Sequence, residues 1–341
     1  MRSKNIDILK TICSFLIVCI HIPFPGTAGQ YFIALSRIAV PIFFMITGYF
    51  YSDIVRRGEE VRQIRKILFL VIQANLLYLI WRCFYAVMSQ NIVLFTSTFS
   101  AKNLFKFLFL NESPLSGHLW YLGAILYVLI IIYIVNKLKL EKYLYRLIPV
   151  LLLGDLLLGK YSLVLWDREF PYILVRNFLF VGIPYFCIGR LIREGLGQKI
   201  SRNVLSGLIV LFSLTSLLER FILVSIRMNA TRDHYISTTL LAISVFLFTL
   251  KLTKGYEENY TACKLSSGDY ATNLMSVIGR RHSTWLYILH PIFITCIGAV
   301  ANIIGVYEIY RVVAPIVVYI ATLVFLAIVH RIKQEYIIRW R

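Results

Sequence analysis

The chain alternates long apolar runs with short polar connections along its whole length. Each run contains about 17 to 23 residues, enough for an α-helix to cross the roughly 30 Å hydrocarbon core of a bilayer. The pattern predicts about ten transmembrane helices, at 8–24, 31–51, 67–88, 117–135, 147–165, 172–190, 203–225, 235–252, 283–305 and 311–330.

The basic residues between these runs predict the orientation of the helices. If the amino terminus is cytoplasmic, the inward connections and both ends carry 25 Lys and Arg, whereas the outward connections carry 7. Positive residues concentrate on the cytoplasmic side of membrane proteins, and an odd number of spans would destroy this asymmetry. We therefore expect an all-α, polytopic membrane helix bundle with both termini in the cytoplasm. We expect residues 1–341 to form a single integral membrane domain.

Composition excludes a soluble globular protein. Hydrophobic residues make up 59% of the chain, charged residues only 16%, and the mean hydropathy is +0.73. The net charge of +19 would suit a nucleic-acid partner, but the basic residues fall in clusters between apolar runs, as membrane topology requires. The first run could also be a signal peptide, but Asp7 and His21 do not suit a cleaved segment, and further spans follow.

The first apolar run carries ionisable groups on one face. Eleven residues separate Lys10 from His21, and eleven helical steps of about 100° return to nearly the same direction, so both share a face with Ser14. The lysine and the histidine then lie roughly 16 Å apart along the helix, one near the surface and one deep inside. An ionisable group within a bilayer is costly and is a functional candidate. Asp7, three residues before Lys10, is placed to fix that lysine.

The second run and the connection after it add arginines. Arg37, Pro41 and Gly48 follow one another at helical spacing. This spacing places the arginine, a helix irregularity and a close-packing glycine on one side of the predicted helix. Arg62 and Arg65 follow at i and i+3, where two guanidiniums can grip one phosphate. Orientation of the chain and contact with anionic membrane lipid are the alternative interpretation of such a basic cluster.

Further candidates lie in later runs. His118 and Trp120 begin the fourth run, where they also suit an interfacial aromatic belt, and Arg176 begins the sixth. His290, followed by Pro291, lies inside the ninth run, where loss of solvent favours the neutral imidazole, as it does for His21. A neutral imidazole can act as a base or a nucleophile. No carboxylate or cysteine stands at ligand spacing from either histidine, so we expect no metal.

These motifs together resemble acyltransferase family 3, a family of integral membrane acyltransferases. Lys10-x10-His21 is similar to the family's basic-x10-His signature, and Arg62-x-x-Arg65 to its R-x-x-R motif. The blocks PIFFMITGY, HLWYL, RNFLFVGIPYFCIGRLI and STWLYILHP also resemble family blocks, in the same order. Within the family, the chain resembles the group that includes the membrane half of the vancomycin-resistance serine racemases.

The resemblance implies a ten-helix bundle that passes an acyl group from cytoplasmic acyl-CoA to an acceptor at the outer face. It implies that His21 is the catalytic histidine and Lys10 its partner, and that Arg62 and Arg65 contact the phosphates of coenzyme A. Many members carry arginine where this chain has Lys10. The lysine keeps the positive charge but lacks the bidentate geometry with which arginine contacts a phosphate. Arg37 either stabilises an oxyanion or pairs within the bundle.

We assign His118, Trp120, Arg176 and His290 to substrate binding. The expected reaction is transfer of an acetyl group from acetyl-CoA to a hydroxyl of a cell-surface glycan or another exported acceptor, in a bacterial cell membrane. No nucleic-acid partner is expected, and membrane lipid surrounds the chain. The alternatives are a transporter for a small substrate such as serine, which the racemase likeness favours, and a membrane scaffold without chemistry. A phosphate clamp favours the enzyme, because a serine carrier has no use for one.

Overall fold

The computed structural model describes residues 3–91, 93–231, 233–259 and 268–339, and these residues form helices without any strand. The centre of the predicted inner connection at 251–282 lies outside the described residues. The helices, in chain order, are α1 Lys4–His21, α2 Gly26–Ser36, α3 Ala39–Arg56, α4 Glu60–Met88, α5 Val93–Thr96, α6 Ala101–Leu110, α7 Trp120–Lys137, α8 Glu141–Leu158, α9 Ser162–Trp166, α10 Tyr172–Val175, α11 Ile183–Glu194, α12 Arg202–Ser225, α13 Ile236–Asn259, α14 Gly268–Arg281, α15 Ser283–Ile303 and α16 Tyr307–Arg339.

Eight helical segments within the described residues are long and apolar enough to cross a membrane. The all-α, polytopic fold predicted from the apolar runs is therefore confirmed. The eight segments are Gly26–Arg56, Glu60–Met88, Gly117–Lys137, Tyr172–Glu194, Arg202–Ser225, Ile236–Thr253, Ser283–Ile303 and Tyr307–Lys333.

The two remaining predicted spans coincide with α1 and α8, so the predicted number of about ten is approximate. Both helices contain 18 residues, which is long enough for a span. Each is so short that its charged residues fall inside any stretch of span length. In α1 these are Lys4, Asp7 and Lys10, and in α8 they are Glu141, Lys142, Arg146 and Asp155.

The predicted second span is not one continuous helix. The chain turns at Arg37, which is the C-cap of α2, and a new helix begins at Ala39. Pro41 lacks an N–H, so a continuous helix would leave the carbonyl of residue 37 without its usual donor. Arg37 therefore lies at a break within the apolar segment Gly26–Arg56, and Pro41 and Gly48 lie in the helix after it. The shared face of the three residues stays a prediction.

The sixth predicted span is also interrupted. A π-helical turn at Phe178–Gly182 joins α10 to α11, and Asn177 begins this turn in an extended conformation. Its Oδ1 accepts hydrogen bonds from the backbone N–H groups of Leu179 and Phe180, at 2.9 and 3.0 Å. The irregular backbone is thus hydrogen-bonded inside the protein, which is the condition for leaving helical geometry at membrane depth. Arg176 lies immediately before this turn.

The described chain divides into two compact units that are interleaved in sequence. Unit 1 contains Met1–Phe43, Lys199–Phe221 and Ile236–Arg341, and unit 2 contains Phe44–Gln198 and Ile222–Tyr235. In unit 1, Val18 of α1 and Leu286 of α15 are fully buried in a cluster with Ala314 and Val318 of α16. In unit 2, α7 buries Val128, Leu129 and Ile132 completely. A single domain over 1–341 stays a prediction.

Candidate active site

Lys10 is held by the neighbouring acidic residue on α1. Its Nζ lies 3.0 Å from Oδ1 of Asp7, one turn earlier on the helix. The Asp7 side chain is 6% exposed and that of Lys10 is 24% exposed. The buried carboxylate thus fixes the lysine, as the spacing predicted, and the ammonium group keeps contact with solvent.

Helix α14 covers this part of α1. The hydroxyl of Thr11 donates a hydrogen bond of 2.6 Å to the carbonyl of Met275. A Cβ atom added to Gly279 would lie only 1.8 Å from the carbonyl oxygen of Asp7. The two backbones therefore meet at a position that only glycine fits. Because Met275 pairs with Thr11 and Gly279 with Asp7, α14 runs antiparallel to α1, and its C-terminus lies by the N-terminus of α1.

The two histidines singled out in the sequence face one another in unit 1. The rings of His21, the last residue of α1, and His290 of α15 have centroids 4.9 Å apart at an interplanar angle of 53°. Nδ1 of His290 lies 3.2 Å from the carbonyl oxygen of Leu286. A carbonyl can only accept a hydrogen bond, so this contact assigns the proton to Nδ1 and leaves Nε2 of a neutral His290 as an acceptor.

The two imidazoles differ in exposure. His290 is completely buried, as predicted, but His21 is exposed. The expectation that both are buried is wrong for His21, because the helix ends there and the chain leads into Ile22 and Pro23. An exposed ring at a helix end is accessible to substrate, and the buried ring beside it limits its orientations. Lys10 and His21 remain on one helix, roughly 16 Å apart along its axis.

Arg62 and Arg65 lie in unit 2, in the first turns of α4, and both are exposed. The nearest acidic group is Glu59, whose Oε1 lies 3.4 Å from Nη1 of Arg62 and whose Oε2 lies 2.6 Å from Nε of Arg57. The hydrogen bond from Arg57 and the charges of Arg57 and Arg62 lower the pKa of Glu59. The arginine pair is thus open to solvent at the end of a helix, where a phosphate could reach it.

Arg176, the second arginine embedded in a motif, lies between two aromatic rings of unit 2. Its guanidinium carbon is 5.3 Å from the ring centroid of Trp120 and 4.1 Å from that of Tyr172. Its buried Nε has no hydrogen-bond partner among the described residues. The structure therefore brings the predicted residues Trp120 and Arg176 together and adds Tyr172, which the sequence did not indicate. Cation–π contacts of this kind hold a guanidinium without neutralising it.

His118 packs within unit 2. The side chain is buried, its Nδ1 is 2.8 Å from the hydroxyl of Ser116, and its ring meets that of Tyr78 edge-on with centroids 5.0 Å apart. These contacts are those of a packed interior histidine. Arg37, at the turn between α2 and α3, is half-buried in unit 1. Neither placement tests the roles predicted for these two residues.

A buried histidine and aspartate in contact in unit 2 were not among the residues predicted from the sequence. Nδ1 of His234 lies 2.7 Å from Oδ2 of Asp155, and the two side chains are 3% and 5% exposed. The neighbouring Asp233 accepts a short hydrogen bond from the hydroxyl of Tyr172, the residue that stacks on Arg176. A carboxylate inside a predicted span was the available signal, because such residues are rare and require a partner.

Within the described residues, no group of three or more His, Cys, Asp and Glu side chains could hold a metal ion.

The candidate residues fall into two sets, each inside one compact unit. Unit 1 holds Lys10, His21, Arg37 and His290, and unit 2 holds Arg62, Arg65, His118, Trp120 and Arg176.

Comparison with known proteins identifies the family. A family model described as an acyltransferase domain, that of acyltransferase family 3, matches residues 3–331. No curated protein and no solved structure gives a significant match. The matched range contains all of unit 2, most of unit 1 and every candidate residue named above. It also contains the eight apolar segments, except the last two residues of the eighth. The chain therefore belongs to acyltransferase family 3 and is a multi-pass membrane acyltransferase.

Proposed function

We propose that this acyltransferase moves an acetyl group from cytoplasmic acetyl-CoA to a hydroxyl of a cell-surface glycan or another exported acceptor. The observation that carries the proposal is the contact of His21 on α1 with His290 on α15, whose ring centroids lie 4.9 Å apart. Helix α1 also presents Lys10, which Asp7 fixes. Membrane acyltransferase activity follows from the family, whereas the acetyl group, the coenzyme and the acceptor are our proposal.

The chemistry requires a base and a place for the leaving thiolate. A neutral His21 takes the proton of the acceptor hydroxyl while the oxygen attacks the thioester carbonyl. The new C–O bond forms, the C–S bond breaks, and the proton returns to the sulfur, so that an ester and free coenzyme A result. Attack by His21 itself, with a transient acyl-imidazole, balances equally well. His290 acts as a positioning residue in either case, because its ring packs against that of His21.

The donor is anionic, and the basic residues near the predicted inner ends of α1 and α4 suit it. Arg62 and Arg65 are exposed, and Arg62 has only a long 3.4 Å contact to Glu59. Charge-assisted hydrogen bonds to phosphate are worth about 1.5 to 3 kcal/mol each. We therefore assign these two residues to the phosphates of acetyl-CoA and Lys10 to the approach of the thioester.

The acceptor side is assigned to Arg176 and Trp120. The guanidinium of Arg176 contacts Trp120 and Tyr172, and its Nε has no hydrogen-bond partner in the described part of the chain. It can therefore bind hydroxyl or carboxylate oxygens of a sugar. Stacked aromatic rings also suit the apolar face of a sugar ring. His118 lies two residues before Trp120 and belongs to the same assignment.

The test uses membrane vesicles that contain the full chain, supplied with acetyl-CoA labelled in the acetyl group. We expect base-labile label to appear in the glycan fraction of the vesicles. His21→Ala lowers this transfer by about 10²- to 10⁴-fold, because a general base is lost. His282→Ala is the matched control, since this histidine lies outside the proposed site, and it keeps wild-type activity. Label that never leaves coenzyme A in wild type, or full transfer by His21→Ala, would refute the proposal.

Kinetics separate donor binding from chemistry. Arg62→Ala and Arg65→Ala each raise the KM for acetyl-CoA by about tenfold or more with little change in kcat, because uniform binding is lost. Lys142→Ala removes an exposed basic residue of another helix and leaves KM unchanged. Serine uptake by the vesicles that survives loss of both arginines, without acetyl transfer, would favour the transport alternative.

A further inference from the structure

Unit 2 contains an apolar cavity that the transferase chemistry does not use. Its volume is about 420 Å³, and it lies between α4, α7 and the segment that runs from α6 through residue 115. Most of its lining is aliphatic, as shown by Leu68, Ile72, Leu76 and Leu79 of α4 and Leu126 of α7.

The polar side chains of the lining already make hydrogen bonds inside the protein. Asn75 donates to the carbonyl of Val71 at 2.8 Å and accepts from the hydroxyl of Ser113 at 2.7 Å. Asn111 donates to the carbonyl of Trp120 at 3.2 Å and accepts from the N–H of Phe178 at 3.1 Å. Among the described residues, no charged side chain lines the cavity. Because water in a cavity requires two to four polar partners, this lining favours an apolar occupant.

The cavity borders surface that faces lipid in a membrane. Helix α4 is among the least covered of the spans, since only 17% of its apolar 18-residue stretch is buried. Leu68, Ile72 and Leu76 line the cavity and are nevertheless 43%, 47% and 54% exposed. Helix α6 buries none of its residues and exposes Phe105 and Phe109. An alkyl chain from the surrounding bilayer can therefore reach the cavity without crossing a polar barrier.

The size of the cavity matches one alkyl chain. A 150 Å³ apolar cavity accommodates a benzene molecule, so 420 Å³ has room for roughly 16 carbon atoms. An empty apolar cavity costs free energy in proportion to its volume, which favours occupation wherever alkyl chains are abundant. We propose that this cavity binds a single acyl chain of a membrane phospholipid. The binding is independent of which group the transferase moves.

Photo-crosslinking tests the proposal on the wild-type chain. The protein is reconstituted in vesicles that contain a phosphatidylcholine with a diazirine on one acyl chain, and the labelled residues are mapped by mass spectrometry. Val71 and Leu119 line the cavity but are only 7% and 2% exposed, so lipid around the protein cannot reach them. We expect label on both. Label confined to outward-facing residues such as Ile80, which is 68% exposed, would overturn the proposal.

Filling the cavity supplies the second test. Ile72→Trp on α4 and Leu126→Trp on α7 place an indole in the cavity from opposite walls, and we expect each to reduce labelling of Val71 and Leu119 by about tenfold. Ile80→Trp makes the same change on the same helix outside the lining and keeps wild-type labelling. Undiminished labelling in both filled variants would contradict a lipid site. A lipid site would also be contradicted if Val71 and Leu119 were crosslinked to a second copy of the chain and thereby protected from the lipid label.

Discussion

His282 lies outside the membrane spans, next to the first residue of α15, and contacts His330 of α16. Their ring centroids are 5.9 Å apart, and Nη1 of Arg281 lies 3.0 Å from Nε2 of His330. Burial, followed by the charges of His330 and Arg281, lowers the pKa of His282. The surroundings of His282 thus favour its neutral imidazole.

We expect His282 to titrate below its ordinary value of 6.5. The unfolded chain then binds the proton more readily than the folded one. Stability due to the neutral ring is complete above about pH 6.5 and is lost as the pH falls toward the folded pKa. Imidazole NMR signals, assigned with His282→Gln, measure this pKa, and His330→Gln should move it back toward 6.5. A pKa at or above 6.5 in the wild type would show that the assigned causes are wrong.

Some properties of single residues could be predicted from the sequence, and others could not. The spacing of Asp7 and Lys10 predicted their contact, because i and i+3 positions on a helix are neighbours whatever surrounds them. The aromatic contacts of Arg176 could not be predicted, because Trp120 lies 56 positions earlier in the chain and on another helix. Exposure of His21 depends on where α1 ends, and helix ends are the least certain feature of a hydropathy pattern.

At the scale of elements, the closest packing in unit 1 is that of α14 on α1. Gly279→Ala would place a methyl group 1.8 Å from the carbonyl oxygen of Asp7, and backbone on both sides cannot move independently. We expect a loss of about 1 to 3 kcal/mol in stability, since overpacking forces the helices apart. Thermal unfolding in detergent measures this loss.

Gly207 supplies the matched control for this substitution. It lies within α12, and an added Cβ meets no atom within 4 Å. Gly207→Ala should therefore be neutral or stabilising by up to about 1 kcal/mol, as expected from helix propensity. Equal melting temperatures for the two variants would show that α14 does not pack on α1 as described. Displacement of α14 should also disturb the contact between Lys10 and Asp7, because α14 covers that turn of α1.

Helix positions were predictable from the sequence, but helix interruptions were not. An apolar run of span length has few alternatives to a helix, because a bilayer leaves no water for backbone groups. The break at Arg37 has a local cause in Pro41, which the sequence shows. The π-helical turn after Asn177 also uses the side chain of Asn111, which accepts from the N–H of Phe178. Such long-range hydrogen bonds are absent from any local pattern.

At the scale of the whole molecule, the distribution of basic residues predicts which connections face the cytoplasm. Single cysteines test this orientation in intact cells after the exposed Cys83 and Cys296, and Cys263 of the predicted inward connection 251–282, are replaced by serine. Ser89→Cys, in a predicted outward connection, should react with a membrane-impermeant maleimide. Ser201→Cys, in a predicted inward connection, should react only after permeabilisation. The opposite pattern would invert the topology and place Arg62 and Arg65 away from cytoplasmic acetyl-CoA.

The pair of Asp155 and His234 also constrains how the chain is made. Asp155 lies in the last turn of α8 but at the middle of the predicted span 147–165. An aspartate at the centre of a span costs roughly 2.5 to 3.5 kcal/mol when the helix meets lipid alone. Its partner is synthesised 79 residues later, which at about 5 to 20 residues per second is a delay of roughly 4 to 16 s. During that interval α8 holds an unpaired acid, so stable insertion of α8 waits for the segment before α13. We therefore expect chains that stop between these two residues to be degraded faster than the full chain.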